Sequence, residues 1–289
     1  MSGAGIADPD AALAPSGSAR WAGRTRRVRP GLALACLVIV VIILWAAVPA
    51  LFTSYSGTDG VAGQQLLSPR AGHLLGTDQL GRDVYARIVY GAVNSLAGAF
   101  VAVALGLVVG TTLGLLAGSL GGVADAVIMR VIDVLLAIPA LLLSLSIIIL
   151  LGFGTVNAAI AVGVTAVATF ARLVRSEVVR VRRTDYVEAA FGAGGTFGAV
   201  LWRHVLPNSL ASVISLSALY FGTAILSIST LGFLGYGAPP PTPEWGLLIA
   251  EGRNYISTAW WLTTFPGLMV VAVVLSANRI SRSIRPGTR

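Results

Sequence analysis

Long apolar stretches alternate with short polar ones along most of the chain. Each stretch holds about 19 residues or more, and a helix of that length, rising about 1.5 Å per residue, crosses the roughly 30 Å hydrocarbon core of a bilayer. The stretches lack the apolar–polar alternation of barrel strands, and helices satisfy their own backbone hydrogen bonds in lipid. The pattern therefore predicts an all-α, polytopic membrane protein with six transmembrane helices, at residues 31–52, 94–118, 126–151, 156–174, 208–231 and 260–278.

The composition agrees with this interpretation and excludes several functions. Hydrophobic residues make up 56% of the 289 residues and charged residues only 11%, whereas a soluble domain carries about 25% charged residues. All 20 basic residues are Arg, so the phosphate-binding loop GxxxxGK[ST], which requires a Lys, is absent. Any ATP-driven step therefore belongs to a partner. Cys36, His73 and His204 have no metal-ligand spacing, so no metal site is predicted.

The distribution of Arg residues predicts which segments face the cytoplasm. Residues 1–30, 172–207 and 279–289 hold 15 of the 20 Arg, whereas residues 53–93 and 232–259 hold four. Positively charged segments stay on the cytoplasmic side of a membrane. We therefore expect both termini and the segment between the fourth and fifth spans to be cytoplasmic. The net charge of +8 is explained in this way without a nucleic-acid partner.

The first 30 residues differ in composition from the rest. They are rich in Ala, Gly, Ser and Pro and end in five Arg residues, which is typical of a disordered basic cytoplasmic arm, with residues 31–289 forming the membrane domain. A signal peptide is the alternative for this region, with Val48-Pro49-Ala50 as its cleavage site. The apolar core has 22 residues, longer than the roughly 7–15 of a signal peptide, so we favour a membrane span.

Residues 184–207 form a polar segment between the fourth and fifth predicted spans. Asp185 and Glu188 have the spacing of a capping box at the start of a short helix. Gly194 can adopt the positive φ of a sharp turn. Pro207 is expected to end a second short helix that runs through Val205 and to suit the start of the next span. The segment therefore predicts a helix pair across the cytoplasmic end of the bundle. An amphipathic connector lying on lipid headgroups is the alternative.

The same segment carries a spaced set of residues that resembles a known motif. The Gly follows the Glu by six residues, and the Leu-Pro pair follows the Gly by twelve to thirteen. This spacing resembles the EAA loop of bacterial ABC-importer permeases, which docks into an ATPase subunit. The resemblance identifies a set of ATPase-coupling residues: Tyr186, Glu188, Ala189, Ala190, Gly194, Leu206 and Pro207.

Partners and location are implied by this resemblance. The chain is expected to form a translocation path with a second homologous permease subunit in the lipid bilayer of the bacterial cytoplasmic (inner) membrane. Two cytoplasmic ABC ATPase subunits would hold ATP and Mg²⁺, and an extracytoplasmic solute-binding protein would deliver the cargo. The chain itself is expected to be a transport subunit with no cofactor and no catalytic residue.

Two further segments narrow the resemblance. Residues 76–83, GTDQLGRD, resemble the GTDxxGRD segment of dipeptide, oligopeptide and nickel permeases, and residues 239–246, PPPTPEWG, resemble the outer loop before their last span. The match is closest to the "C" member of a peptide permease pair. It implies di- or oligopeptides as cargo, with nickel or another small solute as the alternative. An ion-coupled secondary transporter is a weaker alternative, because it predicts paired discontinuous spans and acidic residues at mid-depth.

These outer segments also supply candidate site residues. Asp78 can bond nearby backbone amides in a capped turn, Arg82 and Asp83 can pair, and Trp245 suits the interfacial aromatic belt. With Pro241, these residues are candidates for docking the external binding protein. The alternative is a rigid structural cap over the bundle.

The third predicted span contains charged residues. Arg130 and Asp133 lie three residues apart on one helix face and can form a pair. Pro139 is expected to kink this helix. The three residues are candidates for a pore or gate, and a structural ion pair is the alternative.

Overall fold

A computed structural model describes residues 30–284 of the chain. The predicted basic arm therefore lies outside the described residues, apart from Pro30. The described part is mostly helical and contains no strand, which confirms the prediction of an all-α protein. Its helices are α1 (Pro30–Ala47), α2 (Val84–Leu120), α3 (Gly122–Ala137), α4 (Ala140–Leu151), α5 (Thr155–Arg182), α6 (Asp185–Gly192), α7 (Phe197–Val200), α8 (Leu206–Phe233), α9 (Trp245–Gly252) and α10 (Trp261–Ile284).

Five of these helices are long and apolar enough to cross a membrane, namely α1, α2, α5, α8 and α10. The α3–α4 pair brings the number to six if it is counted as one broken span. The helices pack around one main apolar core that includes Ile42, Ile148 and Ile228. The described chain is thus a multi-pass helical bundle.

The α3–α4 pair is not the single kinked helix that the sequence predicted. The two helix axes differ in direction by 96°. Pro139 lacks a backbone N–H and disfavours the helical conformation at the preceding residue, and Ile138 accordingly has an extended backbone with ψ of 129°. Because the chain leaves the helix at Ile138 and restarts at Ala140, the expected kink is a complete break.

Helices α2 and α5 form the closest helix pair of the bundle. Gly106, Gly110, Gly114 and Gly118 recur every four residues and therefore lie on one face of α2. A β-carbon at Gly110 would lie 2.6 Å from Cβ of Phe170 and 2.7 Å from the carbonyl oxygen of Val167. Small residues at such spacing let two membrane helices approach until their backbones touch. This contact, which we call the glycine seam, has no room for a side chain on α2.

The helices extend beyond the predicted spans. Helix α2 begins at Val84, ten residues before the predicted start, because Asp83 caps it by accepting a hydrogen bond from the Ala86 N–H at 2.8 Å. Helix α5 continues eight residues past the predicted end at residue 174, because Val178 and Val181 extend its buried face. Arg87, Arg175 and Arg182 near these ends do not stop the helices, since each finds a partner within the bundle.

The bundle has two structurally different ends. Helix α1 begins beside Arg279 near the end of α10, and the Ser215 and Ser281 hydroxyls each donate to the other residue's carbonyl. The start of α1, the end of α10 and residues 184–205 therefore share one end, which we call the loop end. Residues 53–83 and 234–260 close the opposite end, which we call the cap end.

At the loop end the chain is helical without interruption from Phe197 to Phe233. The prediction that Pro207 ends a separate second helix is therefore wrong, whereas Pro207 does lie at the start of α8, as predicted. Residues Leu201–Val205 form a π-helix, and its wider turn gives the proline ring room beside the carbonyl four residues earlier. The π-turn thus carries the helix through Pro207 into α8.

Candidate functional site

The loop-end segment is fixed to the bundle by a small apolar cluster. Val187, Val200 and Val205 are buried and pack in one cluster with Phe170 and Val174 of α5. These valines come from α6, α7 and the π-turn respectively. The three short helical pieces are therefore held as one unit on the ends of α5 and α8.

Several large aromatic side chains of this segment are exposed. Tyr186 is 45% exposed and Trp202 is 68% exposed, and Phe191 and Phe197 are also exposed. Glu188 and Ala189 lie exposed on the same short helix as Tyr186. Aromatic side chains are enriched at protein–protein interfaces, so the four exposed aromatic residues are candidates for an interaction surface. We call this surface the aromatic patch.

The turn between α6 and α7 has the geometry that the sequence predicted. Gly194 has a φ of +87° and its N–H donates to the carbonyl of Phe191 at 3.0 Å. Only glycine adopts this conformation without strain. Gly195 also admits no side chain, because a β-carbon would lie 2.7 Å from the carbonyl oxygen of Ala190.

The predicted capping box is not formed. The N-cap of α6 is Thr184 rather than Asp185, and no side chain caps this end. Asp185 and Glu188 instead lie in the first turn of the helix, where negative charge is stabilised by the positive end of the helix dipole. Glu188 is exposed and forms no ion pair with any other described residue.

The remaining predicted coupling residues lie next to the aromatic patch, on α6 and at the start of α8. Ala190 is half-buried against the apolar cluster. Leu206 is half-buried and Pro207 is exposed in the first turn of α8. The aromatic patch therefore includes Tyr186 and Glu188, whereas Leu206 and Pro207 connect it to the bundle.

Arg182 connects three elements at the loop end. Its Nη1 donates to the carbonyls of Gly118 at 3.0 Å and Ser119 at 2.6 Å, which are otherwise free at the end of α2. Its guanidinium carbon lies 5.9 Å from the ring centre of Phe197, within cation–π range. The C-terminal ends of α2 and α5 and the start of α7 are thus held by one side chain.

We expect Arg182→Ala to lower the free energy of unfolding by about 2 kcal/mol, because hydrogen bonds from a charged donor contribute about 1.5–3 kcal/mol. The thermal unfolding midpoint in detergent should fall by about 4–8 °C. Arg180→Ala is the matched control, since Arg180 makes only an exposed pair with Glu177, and such pairs contribute about 0–1 kcal/mol. Equal midpoints for the two variants would contradict this role for Arg182.

The charges on α3 pair with α5 rather than with each other. Asp133 accepts from Nη2 of Arg172 at 2.5 Å, and Asp125 accepts two hydrogen bonds from Arg175 at 2.5 and 2.6 Å. The predicted Arg130–Asp133 pair is therefore not formed, because α5 lies along α3 and brings two arginines within reach. Arg130 is exposed. A gate role for Arg130, Asp133 and the break at Pro139 stays a prediction.

A buried ion cluster holds the cap end together. Asp78 Oδ2 accepts from Nε of Arg82 at 2.6 Å and from Nη1 of Arg87 at 2.7 Å. Glu251 Oε2 accepts from the same two arginines at 3.2 and 2.6 Å. Both arginines are only 1% exposed. The cluster thus joins the loop before α2, the first turn of α2 and the end of α9.

The turn that carries Asp78 is capped as predicted, whereas the ion pair predicted next to it is not present. Asp78 Oδ1 accepts from the backbone N–H groups of Leu80 at 2.8 Å and Arg82 at 3.0 Å. The predicted Arg82–Asp83 pair is not formed. Asp83 caps α2 with one oxygen, and its other oxygen lies 2.9 Å from Nδ1 of His73.

The sequence suggested that Trp245 lies in the interfacial aromatic belt, but the structure places it in the protein interior. Its side chain is completely buried, and its indole N–H donates to the carbonyl of Ile88 at 3.0 Å. The preceding Glu244 is also buried and accepts from the N–H groups of Gly246 and Leu247. Burial raises the pKa of the Glu244 carboxyl group, and these hydrogen bonds partly oppose the rise.

The predicted docking residues are therefore mainly structural. Asp78, Arg82, Asp83 and Trp245 are buried, and of the set only Pro241 is exposed. The four buried side chains fit the alternative of a rigid cap. A docking protein would contact the exposed surface above them and not these groups.

Three residues with a clear structural role were missed by sequence reasoning: Arg87, Arg182 and Glu251. The first lies near the start of the long apolar α2 stretch, and the last lies between two apolar stretches. A charge next to such a stretch needs a partner. That signal was available, although the sequence does not say which residues the partners are.

This fold defines a class of protein: a multi-pass, all-α membrane protein with a structured connector at one end and a rigid cap at the other. Residues 110–289 match the family described as "Binding-protein-dependent transport system inner membrane component". The chain belongs to this family.

Similar proteins carry permease names. The chain is 44% identical over 255 residues to the dipeptide transport system permease protein DppC of Alkalihalophilus pseudofirmus, covering 88% of this chain and 84% of that protein. It is 39% identical to the probable D,D-dipeptide transport system permease protein DdpC of Escherichia coli K12, covering 76% and 74%. It is 36% identical to the glutathione transport system permease protein GsiD of Pectobacterium atrosepticum, covering 75% and 72%.

Solved structures show the same fold. An inward-facing structure of the MetNI methionine ABC transporter matches with a TM-score of 0.54 at 22% identity, covering 69% of this chain and 96% of that chain. An amino acid ABC transporter crystallised with histidines matches with a TM-score of 0.55 at 14% identity, covering 69% and 92%. The bundle is thus the fold of ABC-transporter membrane subunits.

Proposed function

We propose that this chain is a permease subunit of an ATP-driven importer for di- or oligopeptides in the bacterial cytoplasmic membrane. It would form the translocation path with a second homologous permease subunit. Two cytoplasmic ATPase subunits would hold ATP and Mg²⁺, and an extracytoplasmic binding protein would deliver the cargo. The names of the relatives, which include dipeptide and glutathione permeases, support this cargo class.

The observation that carries the proposal is the aromatic patch at the loop end. A connector that only lay on lipid headgroups would need no fixed shape, whereas this segment is anchored by three buried valines and turned at Gly194. Its anchored underside gives the exposed Tyr186, Glu188 and Trp202 a defined arrangement, as a protein partner would require. The patch is thus suited to dock into a groove of an ATPase subunit.

The position of the patch also supports transmission of movement. Arg182 connects the segment to α2, and the chain continues without a break through the π-turn into α8. A displacement imposed on the patch by a closing ATPase pair would therefore act on α2, α5 and α8 together. This is the kind of rigid-body switch that couples nucleotide binding to a change of access.

The coupling proposal is tested by substituting residues of this segment and measuring how much ATPase subunit co-purifies. We expect Glu188→Ala and Gly194→Ala to reduce ATPase co-purified with the complete importer at least about tenfold, since an anchor residue commonly contributes more than about 2 kcal/mol. Gly192→Ala is the control for the glycine change, because a β-carbon there meets open space and the residue has no positive φ. Glu177→Ala is the control for the carboxylate.

Two results would contradict the proposal. In one, all four variants retain their ATPase. In the other, a cysteine placed at Trp202 in a Cys36→Ser background reacts with a membrane-impermeant maleimide only from the outer side of the membrane. The second result would put the patch out of reach of any cytoplasmic subunit.

Cargo other than peptide is the remaining alternative within the family, with nickel as the specific case. Binding and uptake assays with nickel and with dipeptides on the reconstituted importer separate the two. Membership of a binding-protein-dependent transport family argues against the ion-coupled alternative.

A further inference from the structure

An open groove of about 590 Å³ runs between α4, α5 and α8. Ligand pockets for small molecules have volumes of about 300–1,000 Å³. None of the described residues that line the groove is charged, but several carry hydroxyl groups. The hydroxyl-bearing residues are Ser144, Thr165, Thr169, Tyr220, Thr223, Ser227 and Thr230.

The break between α3 and α4 leaves backbone donors free at one side of this groove. The first backbone hydrogen bond of α4 runs from the Leu143 N–H to the carbonyl of Pro139. The N–H groups of Ala140, Leu141 and Leu142 therefore have no partner within the helix. Ala140 and Leu141 are exposed and line the groove.

Free backbone groups within an apolar span indicate contact with water or with a polar ligand. Lipid cannot satisfy them, and interrupted helices occur at membrane depth only where they are covered by protein or line a hydrated cavity. The α3–α4 pair is apolar enough to be a membrane span as a whole. Its break at Ile138 and Pro139 is therefore expected to face a hydrated space rather than lipid.

Ser144 supplies a second, independent indication. Its side chain is only 4% exposed, lies one turn after Ala140 and lines the groove. A serine inside a helix usually bonds a carbonyl three or four residues earlier, as Ser146 does to Leu142 at 2.9 Å. Within residues 30–284 the Ser144 hydroxyl makes no such bond. It remains available as a donor in the groove, one turn along α4 from Ala140.

We propose that this end of α4 is a subsite for the carboxylate of a peptide passing through the groove. Three backbone N–H groups, one hydroxyl and the positive end of a helix dipole favour an anion. The uncharged remainder of the lining would accept side chains of either charge. This inference rests on the proposed function, because the peptide class comes from there.

A lipid chain or a helix of the second permease subunit fits these features less well. Neither an acyl chain nor an apolar helix offers acceptors for four donors, and unpaired donors buried by them would cost about 1–3 kcal/mol each. A terminal carboxylate has four acceptor positions on two oxygens. The chemistry of the donors therefore favours a free carboxylate.

The test uses the complete importer in a Cys36→Ser background with Ser144→Cys. The thiol is reacted with an anionic and with a cationic methanethiosulfonate, and each rate is divided by the rate of the same reagent with a free thiol in solution. We expect the anionic reagent to react about tenfold faster after this correction, because the dipole and the free donors attract it. A dipeptide with a free carboxylate should slow the labelling, and the same dipeptide with an amidated C-terminus should not.

A second variant removes one donor without removing the helix. Proline is favoured at the first helical position, and Pro139 already has the extended ψ of 129° that a following proline requires. Ala140→Pro, combined with Ser144→Cys, should reduce the preference for the anionic reagent, because two free N–H groups and the helix dipole remain. Ala140→Val keeps the N–H and should preserve the preference. Ser146→Cys, on the same helix but outside the groove lining, should show neither charge preference nor protection.

Two results would contradict the carboxylate subsite. One is equal corrected rates for the two reagents at Ser144→Cys, and the other is equal protection by the dipeptide with a free carboxylate and by the amidated dipeptide. Failure of the proposed function would look different. An importer that lacks ATP-driven dipeptide uptake even with the unaltered chain would refute the function, whereas normal uptake without charge-selective labelling would refute only the carboxylate subsite.

Discussion

Gly110→Leu is expected to prevent α2 and α5 from packing and to abolish most of the folded, monodisperse protein. A β-carbon alone would lie 2.6 Å from Cβ of Phe170 and 2.7 Å from a backbone oxygen, and leucine adds three further carbons. Overpacking by a few carbons costs about 1–3 kcal/mol where side chains can shift. Here backbone would have to move, so we expect a loss above about 3 kcal/mol, measured as thermal unfolding in detergent.

Gly267→Leu is the matched control for this prediction. Gly267 also lies inside a membrane helix, but a β-carbon there meets no atom within 4 Å. Leucine has a better helix propensity than glycine by somewhat less than about 1 kcal/mol, so this variant should be as stable as the parent or more so. If both variants unfold at the same temperature, the glycine seam is not the tight contact described above.

Asp78→Asn is expected to produce the second large loss of stability. The change removes the negative charge that Arg82 and Arg87 share, and both arginines remain buried with only Glu251 to balance them. Removing one partner of a buried ion pair costs about 3–5 kcal/mol. The thermal unfolding midpoint should fall by about 6 °C or more.

Asp59→Asn provides the comparison at the cap end. Asp59 is exposed on the same loop region and forms no ion pair in the described structure, so its neutralisation should change the free energy of unfolding by less than about 0.5 kcal/mol. Nearly equal midpoints for Asp78→Asn and Asp59→Asn would show that the cluster does not hold the cap.

Features set by local chemistry were predictable from the sequence. The apolar stretches could be recognised because each is long enough to cross a bilayer. The turn at Gly194 could be predicted because glycine adopts a positive φ without strain. The capped turn at Asp78 was also predictable, since an aspartate side chain readily bonds amides two to four residues ahead. None of these predictions needs knowledge of which helices are neighbours.

Features that depend on neighbouring helices were not predictable in this way. Arg130 and Asp133 have the spacing of a pair, but Arg172 on α5 takes the aspartate, and only the packing of α3 against α5 decides this. Trp245 has the composition of an interfacial residue, yet it is buried against Ile88. In both cases the partner residue lies on another helix, and the sequence pattern of one segment cannot identify it.

Helix α2 gives the two ends of the molecule a shared mechanical element. Its 37 residues measure about 55 Å at about 1.5 Å per residue. Its last carbonyls are held by Arg182, and its first turn is held through Asp83 and Arg87. The rod is clamped at both ends and braced along its length by α5, so it can tilt but has little freedom to bend. If α2 pivots at a point along the glycine seam, a displacement of its loop end moves its cap end in the opposite direction.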